Sequence, residues 1–213
     1  MTKEPYRKNW FVIIAVVITG MLKFILADWL DLRVFYITAA CLFWLVFILI
    51  KYKKDHRILK NWGFQKHNLK PSLLFLLPFV LTGLAGIIIY GILFNASFLN
   101  WHILPVFALY PAWGLIQQFI VAGLVAGNLK TIAAGKLSDL QIILIISLLF
   151  AIVHSPSIPL MAYTFVMEFI FLHAYFKYKN LWPLGLYHGW ISSLFIFLVL
   201  KRDLWNELLG VFQ

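Results

Sequence analysis

Residues 72–94 read SLLFLLPFVLTGLAGIIIYGILF, a run without a single charged side chain. A helix needs about 20 mainly apolar residues to cross the hydrocarbon core of a bilayer, so this run is long enough to span a membrane. Further runs that meet or approach this length lie at about 10–27, 34–50, 101–127, 139–154, 160–177 and 182–200. The sequence therefore predicts an all-α, polytopic transmembrane helical bundle of about seven spans.

The composition of the chain excludes the other broad classes. Of its 213 residues, 63% are hydrophobic and 12% are charged, whereas soluble domains have roughly 45–50% and about 25%. A soluble globule of this size still exposes about a third of its potential surface, so it cannot hide so much apolar area. Disordered chains combine low hydrophobicity with high net charge, and this chain does not. We expect an integral membrane protein in contact with the lipid bilayer.

The positive charges predict how the chain is oriented. The net charge of +10 comes from lysines and arginines that lie mostly between apolar runs, which is typical of topology determinants rather than of nucleic-acid binding. Connections 95–100 and 155–159 carry none, and the basic positions are Lys3, Arg7, Lys8, seven residues within 51–70, Lys130, Lys136, Lys177 and Lys179. Every second connection is basic, which predicts a cytoplasmic N-terminus, and we expect a bacterial cytoplasmic membrane. Lys201 and Arg202 follow the last run, so an eighth span or a re-entrant segment is the alternative for the C-terminus.

The organisation of the chain is simple. We find no repeat, linker or low-complexity tract, and we therefore expect residues 1–213 to form a single integral membrane domain. The segment 58–69 mixes Trp62 and Phe64 with basic side chains, which fits either an interfacial segment or a solvated basic loop. The single cysteine, Cys41, excludes an intramolecular disulfide and a cysteine-rich metal site.

Several polar residues interrupt the apolar runs. Polar groups are costly in hydrocarbon, so each needs a partner or a purpose. An interhelical hydrogen bond is the structural alternative to a functional role for every one of them, and a snorkelling or paired side chain is the expectation for Lys23. These residues are Lys23, Gln117, Gln118, His154, Glu168, His173, His188 and Ser192.

Two of the histidines predict a site. Phe150 and His154 are four residues apart and share a helix face, as do His188 and Ser192. Imidazoles act as acids or bases near neutral pH. His154 also closes a short run before the uncharged turn 155–159, which we expect to lie within the membrane, where irregular backbone is tolerated if it is buried or lines a cavity. Together with the two glutamines, the histidines predict a buried polar chamber.

These patterns resemble the motifs of the CAAX prenyl protease and bacteriocin-processing family of intramembrane proteases. That family has E-E-x-x-x-R, then F-x-x-x-H, then H-x-x-x-N. Residues 150–154 read FAIVH and residues 188–192 read HGWIS, with Ser192 in place of the asparagine, and Trp62-Gly63-Phe64 is similar to an upstream family segment. The resemblance implies a protease-like core at 104–198 that carries the three motif helices and acts on peptide bonds.

The first motif departs from this pattern. The two glutamates are Gln117 and Gln118 here, and Ala122 stands at the arginine position. The resemblance implies that the first glutamate of the family activates the attacking water. A neutral amide can only position a water molecule. We therefore expect a histidine to act as base, with Gln118 or Ser192 holding the oxyanion. Glu168 is either a displaced base or the partner of Lys23 or of a lysine at a helix end.

The sequence leaves the cofactor and the reaction open between alternatives. Zinc takes three or four protein ligands, of which His154 and His188 supply two and Glu168 would be a third. The expected function is chemistry on acyl or peptide bonds of a membrane-embedded peptide, lipopeptide or lipid. The alternatives are a catalytically inactive pseudoprotease that binds a membrane peptide or partner, and a His-dependent acyltransferase.

Overall fold

A computed structural model describes residues 10–94 and 100–209, and all regular structure in these ranges is helical. The N-terminal Lys3, Arg7 and Lys8, together with most of the connection 95–100, lie outside them. The helices are α1 (Trp10–Leu22, continued by a π-helical segment Lys23–Trp29), α2 (Arg33–Lys54), α3 (Ile58–Trp62), α4 (Leu69–Phe94), α5 (Ile103–Gln118, continued by the π-helical segment Phe119–Ala126), α6 (Gly127–Ile132), α7 (Asp139–Ile152), α8 (Ile158–Tyr178), α9 (Leu181–Leu198) and α10 (Leu204–Leu209).

The helix lengths confirm an all-α membrane protein with about seven spans. Six segments of the described ranges are long and apolar enough to cross a bilayer: Trp10–Trp29, Arg33–Lys54, Leu69–Phe94, Ile103–Ile132, Ile158–Tyr178 and Leu181–Leu198. The remaining apolar helix, α7, has only 14 residues. At 1.5 Å per residue it is about 21 Å long, against a hydrocarbon core of about 30 Å. If α7 begins at one membrane surface, the turn that follows it lies short of the other surface.

One end of the bundle collects the basic connections. The Tyr175 hydroxyl donates to the Trp62 carbonyl oxygen at 2.9 Å, which joins the α2–α4 connection to the end of α8. Lys130, just before the α6–α7 connection, pairs with Asp139 at 2.6 Å and lies 4.4 Å from the centre of the Phe176 ring. The three basic connections thus lie together, and we refer to residues 55–68, 130–139 and 175–180 as the basic end.

The opposite end joins the remaining connections. His102 Nδ1 lies 2.6 Å from an oxygen of Asp203, which ties the start of α5 to the residues after α9. The Lys23 ammonium donates to the Ser155 carbonyl oxygen at 3.4 Å, so the α1–α2 connection meets the turn after α7. The connections alternate between the two ends, as seven consecutive spans require.

The segment 58–69 differs from both expectations. Trp62 is buried in the bundle, with 4% of its surface exposed, and its ring centre is 5.1 Å from that of Phe119. Gly63 has a φ of 107°, which glycine adopts without steric cost and which ends α3. Asn180 fixes the next residues by donating to the Gln65 carbonyl oxygen at 2.8 Å. The segment is therefore an inserted anchor rather than a solvated or purely interfacial loop.

The same asparagine begins the central helix. The Asn180 side-chain oxygen accepts from the Trp182 backbone N–H at 3.1 Å, which caps the N-terminus of α9. Most of the residues of α9 are buried. Because lipid touches so little of it, the polar residues of α9 must find partners inside the protein.

Glycines bring α5 and α9 into backbone contact. A Cβ added to Gly114 would lie 2.6 Å from the Gly185 carbonyl oxygen, and one added to Gly185 would lie 2.6 Å from Leu115 Cα. A Cβ on Gly189 would overlap the backbone of Pro111. Small residues allow membrane helices to approach this closely, where van der Waals packing holds them together. This contact fixes the relative position of the ends of α5 and α9.

We predict that Gly189→Ala destabilises the protein and that Gly86→Ala does not. The new methyl at position 189 has no room against Pro111, and overpacking costs about 1–3 kcal/mol. A Cβ at Gly86 meets nothing within 4 Å, and alanine favours the helix by up to about 1 kcal/mol. Thermal unfolding of both variants in detergent measures the difference, and equal unfolding temperatures would show that the two helices do not depend on this contact.

Candidate functional site

Three buried polar side chains from three helices meet inside the bundle. Gln118 at the end of α5 and Glu168 on α8 are fully buried, and His188 on α9 is 2% exposed. The Gln118 amide nitrogen lies 2.6 Å from Glu168 Oε2 and 3.1 Å from His188 Nδ1. Glu168 follows Thr164 by one turn on the buried face of α8. We call Gln118, Glu168 and His188 the polar triad.

The hydrogen bonds of the polar triad assign donors and acceptors. An amide nitrogen carries two hydrogens, so Gln118 can donate one to Glu168 and the other to His188 Nδ1. His188 then accepts at Nδ1, and its neutral form carries its own proton on Nε2. Two buried acceptors remain without a hydrogen-bond partner among the described residues, Gln118 Oε1 and Glu168 Oε1. The triad therefore has unused acceptor capacity in a site closed to bulk solvent.

His154 lies beside this group in the turn after α7. Its Nδ1 is 2.7 Å from the Phe150 carbonyl oxygen one turn earlier. A carbonyl oxygen only accepts, so Nδ1 carries the proton and Nε2 presents a lone pair. The Phe150 ring centre lies 4.8 Å from the His154 ring and 5.9 Å from the His188 ring. The two imidazoles thus flank one phenyl ring, and they have opposite tautomers.

Ser192 lies outside the hydrogen bonds of the polar triad. Its hydroxyl lies 3.0 Å from the Tyr163 hydroxyl and 3.9 Å from the Met167 sulfur. The Tyr163 ring stacks on Phe195 with centres 4.2 Å apart. Sequence reasoning missed Tyr163, because a tyrosine in an apolar run carries no motif of its own. Ser192 and Tyr163 form a hydroxyl pair one helical turn along α9 from His188.

The other candidates lie outside the polar triad. Gln117 is partly exposed, and its side chain makes no hydrogen bond with the residues that the structure describes. His173 Nδ1 lies 2.8 Å from the Phe169 carbonyl oxygen. Lys23 pairs with Asp28 at 2.6 Å, so the alternative ion pair between Lys23 and Glu168 does not form. Lys23 is therefore paired, which is one of the two arrangements expected from the sequence.

The arrangement does not fit a zinc site. Among the described residues, no group of three or more histidine, cysteine, aspartate or glutamate side chains lies close enough to hold a metal ion. Zinc takes three or four such ligands. His154 and His188 are therefore not joined by Glu168 as a third ligand.

Comparison with known proteins bears on the segment that carries these residues. Residues 99–194 match the family model described as type II CAAX prenyl endopeptidase Rce1-like. This segment is a little under half of the chain, and it contains Gln118, His154, Glu168 and His188. No curated protein and no solved structure matches the chain. The match supports membership of the CAAX prenyl protease and bacteriocin-processing family for this segment.

Proposed function

We propose that the protein hydrolyses a peptide or other acyl bond of a membrane-embedded peptide, lipopeptide or lipid, with Glu168 as the general base. The observation that carries this proposal is the 2.6 Å contact between Glu168 and Gln118. The family motif places its carboxylates on the helix of Gln118, where this chain has only amides. Glu168 supplies a carboxylate from α8 beside the second of these amides, Gln118.

The unpaired acceptors support a position for the attacking water. Glu168 Oε1 and Gln118 Oε1 are buried and have no partner among the described residues. A water molecule has two O–H donors, so one water can donate to both oxygens. Its lone pair then remains free to attack a carbonyl carbon. Glutamine positions this water, and the carboxylate removes its proton.

The proposed reaction balances without a metal or a further reactant. Glu168 takes a proton from water while the water oxygen bonds to the acyl carbon, and the carbonyl electron pair moves onto its oxygen. The N–H at His188 Nε2 donates to that oxyanion, as fixed donors do in acyl transfer. When the intermediate collapses, the bond to the leaving nitrogen or oxygen breaks, and Glu168 returns the proton to the leaving group.

His154 and Ser192 have supporting roles in this proposal. The lone pair on His154 Nε2 can accept a hydrogen bond from a substrate N–H, which orients the acyl group. Ser192 and Tyr163 can supply a second donor to the oxyanion, in place of the family's asparagine. In this assignment His188 donates and His154 accepts, because the two imidazoles are different tautomers.

We also infer that the basic end faces the cytoplasm. Lys60, Lys130 and Lys179 lie at this end, and cytoplasmic connections of membrane proteins carry an excess of lysine and arginine. The turn that holds His154 then approaches the site from the opposite side of the membrane.

We predict that Glu168→Gln abolishes hydrolysis without unfolding the protein. The amide has the same shape and can still accept from Gln118, but it cannot take a proton from water. Loss of a general base costs about 10²–10⁴-fold in rate. The measurement is mass spectrometry of membrane peptides and lipopeptides incubated with the reconstituted protein in ¹⁸O-water, where hydrolysis places ¹⁸O in the new carboxylate.

Glu207→Gln is the matched control for this substitution. Glu207 lies on α10, outside the site, and forms an ion pair at 2.7 Å with Arg202, which precedes this helix. We expect its variant to keep full activity. If Glu168→Gln is folded and as active as Glu207→Gln, Glu168 is not the base. If the wild-type protein forms no labelled product from any of the peptides and lipopeptides, it is a pseudoprotease and the hydrolase proposal fails.

We predict that moving the carboxylate back to α5 restores part of the activity. The double variant Gln118→Glu/Glu168→Gln exchanges the two ends of the hydrogen bond between these residues and keeps the carboxylate beside His188. His188 must then donate from Nδ1 to the new carboxylate, so its Nε2 no longer donates to the oxyanion and only part of the activity returns. Activity at least tenfold above that of Glu168→Gln alone is the expected result in the same labelling assay. A folded double variant with no gain would show that the base must stand on α8.

We predict that His154→Ala loses activity and that His173→Ala does not. Both histidines donate from Nδ1 to the carbonyl oxygen four residues earlier, at 2.7 Å and 2.8 Å. They therefore share a structural role, and only His154 lies beside Phe150 and the polar triad. Turnover and thermal unfolding measured together separate the two roles. Equal activity in the two variants would remove His154 from the site.

The same assay separates hydrolysis from acyl transfer. Hydroxylamine is a stronger nucleophile than water and needs less activation by a base. If Glu168→Gln keeps hydroxamate formation but incorporates no ¹⁸O, the site activates the acyl group and Glu168 activates the water, as we propose. If wild type forms hydroxamate but no labelled acid, the protein is an acyltransferase, and the assignment of Glu168 is wrong.

A further inference from the structure

A concave site lies at the basic end, away from the polar triad. It is a cavity of about 230 Å³ between α6 and the end of α8. This volume is below the roughly 300–1,000 Å³ of pockets that take drug-sized ligands, so it suits a small group. Its lining consists of Gly127, Lys130, Thr131, Tyr175, Phe176 and Lys179.

The two lysines make the cavity electropositive. Burial lowers the pKa of the Lys179 ammonium, and the positive charge of Lys130 lowers it further. Lys130 has one carboxylate partner, Asp139, and both members of that pair are about half exposed. The Thr131 hydroxyl donates to the Gly127 carbonyl oxygen at 3.2 Å and can rotate toward a ligand instead. An anion between the two ammonium groups would relieve their repulsion.

The position of the cavity indicates which class of anion is available to it. It opens at the end of the bundle that holds the basic connections, and it lies beside the anchor around Trp62 through the Tyr175 hydrogen bond. Cytoplasmic leaflets carry anionic phospholipids, and basic pockets between membrane helices bind their headgroups. The aromatic ring of Phe176 gives the cavity an apolar wall on which the start of an acyl chain can pack.

We propose that this cavity binds the phosphate of an anionic phospholipid headgroup, held between Lys130 and Lys179 with the Thr131 hydroxyl as a further donor. The site is separate from the polar triad, and it stands whether or not the protein is a hydrolase. A bound lipid would link α6 to the end of α8 and so stabilise the basic end of the bundle.

Charge at a helix end is the competing explanation for these lysines. Lys130 lies near the C-terminus of α6, and Lys179 follows the last residue of α8. Helix C-termini carry partial negative charge, which attracts lysine without any ligand. The two explanations predict different results for lipid binding. Only the headgroup site requires both lysines to contact the same lipid molecule.

The test is native mass spectrometry of the full-length protein in a neutral detergent, titrated with dioleoyl phosphatidylglycerol or with dioleoyl phosphatidylcholine. We expect wild type to retain one phosphatidylglycerol per chain and to bind it at least fivefold more tightly than phosphatidylcholine. Lys130→Gln and Lys179→Asn should each weaken phosphatidylglycerol binding about fivefold, which is the contribution of one lysine near an anionic headgroup.

The substitutions are chosen to keep the fold. Lys179 has a φ of 50°, and asparagine is one of the few residues that accept this left-handed conformation. Lys136→Gln is the matched control. Lys136 is exposed in the α6–α7 connection and does not line the cavity, so the substitution removes one charge outside the proposed site. Asp139→Asn is the opposite test. It removes the carboxylate that competes for Lys130, and we expect it to tighten phosphatidylglycerol binding.

Three results would overturn the proposal. One is equal loss of binding in Lys136→Gln and Lys179→Asn, which would indicate general surface charge. Another is weaker binding in Asp139→Asn, which would indicate that the lysines only balance the helix ends. The third comes from a parallel arm with inorganic phosphate. If phosphate alone stabilises the protein against thermal unfolding as much as phosphatidylglycerol does, the cavity holds a free anion and not a lipid.

Discussion

The backbone contact between α5 and α9 is the constraint on which the candidate site depends. Gly114 and Gly185 leave no room for a side chain between the helices, and neither does Gly189 against Pro111. Two helices that touch through their main chains cannot adjust their spacing by changing rotamers. Gln118 lies one turn beyond Gly114, and His188 lies between Gly185 and Gly189. The 3.1 Å distance between their side chains is thus set by the tightest packing in the described part of the protein.

Lipid adds a second constraint, which explains why most of the buried polar groups have partners inside the protein. Water is absent from the hydrocarbon core, so every buried donor and acceptor needs a partner within the protein. Gln118 meets this need by joining α8 to α9 through one amide group. His154 and His173 meet it through the carbonyl oxygen four residues earlier. Five buried side-chain atoms of the described residues have no hydrogen-bond partner, and two of them, Gln118 Oε1 and Glu168 Oε1, belong to the polar triad.

The sequence predicted the fold well, because helix length and hydropathy are local properties of a chain in a membrane. It also led to Gln118 and His188, since family spacing places them on facing helices. It could not pair Glu168 with Gln118, because that contact joins positions 50 residues apart and no motif marks α8. Nor could it choose Gln118 over Gln117, because which of two neighbours faces inward depends on how α5 packs. The insertion of Trp62 was missed for the same reason: basic neighbours suggested a surface, while the bundle offered an aromatic cavity beside Phe119.

The shortness of α7 has a consequence for the lipid around it. Leu144, Leu148 and Ile152 on this helix are about half exposed and lie on a face that meets acyl chains. A span of about 21 Å beside a core of about 30 Å creates hydrophobic mismatch, which a bilayer relieves by thinning locally. Such a dimple would bring headgroups and their hydration down to the turn at Ser155. Water for the proposed hydrolysis would then come from this thinned part of the bilayer, without a channel through the protein.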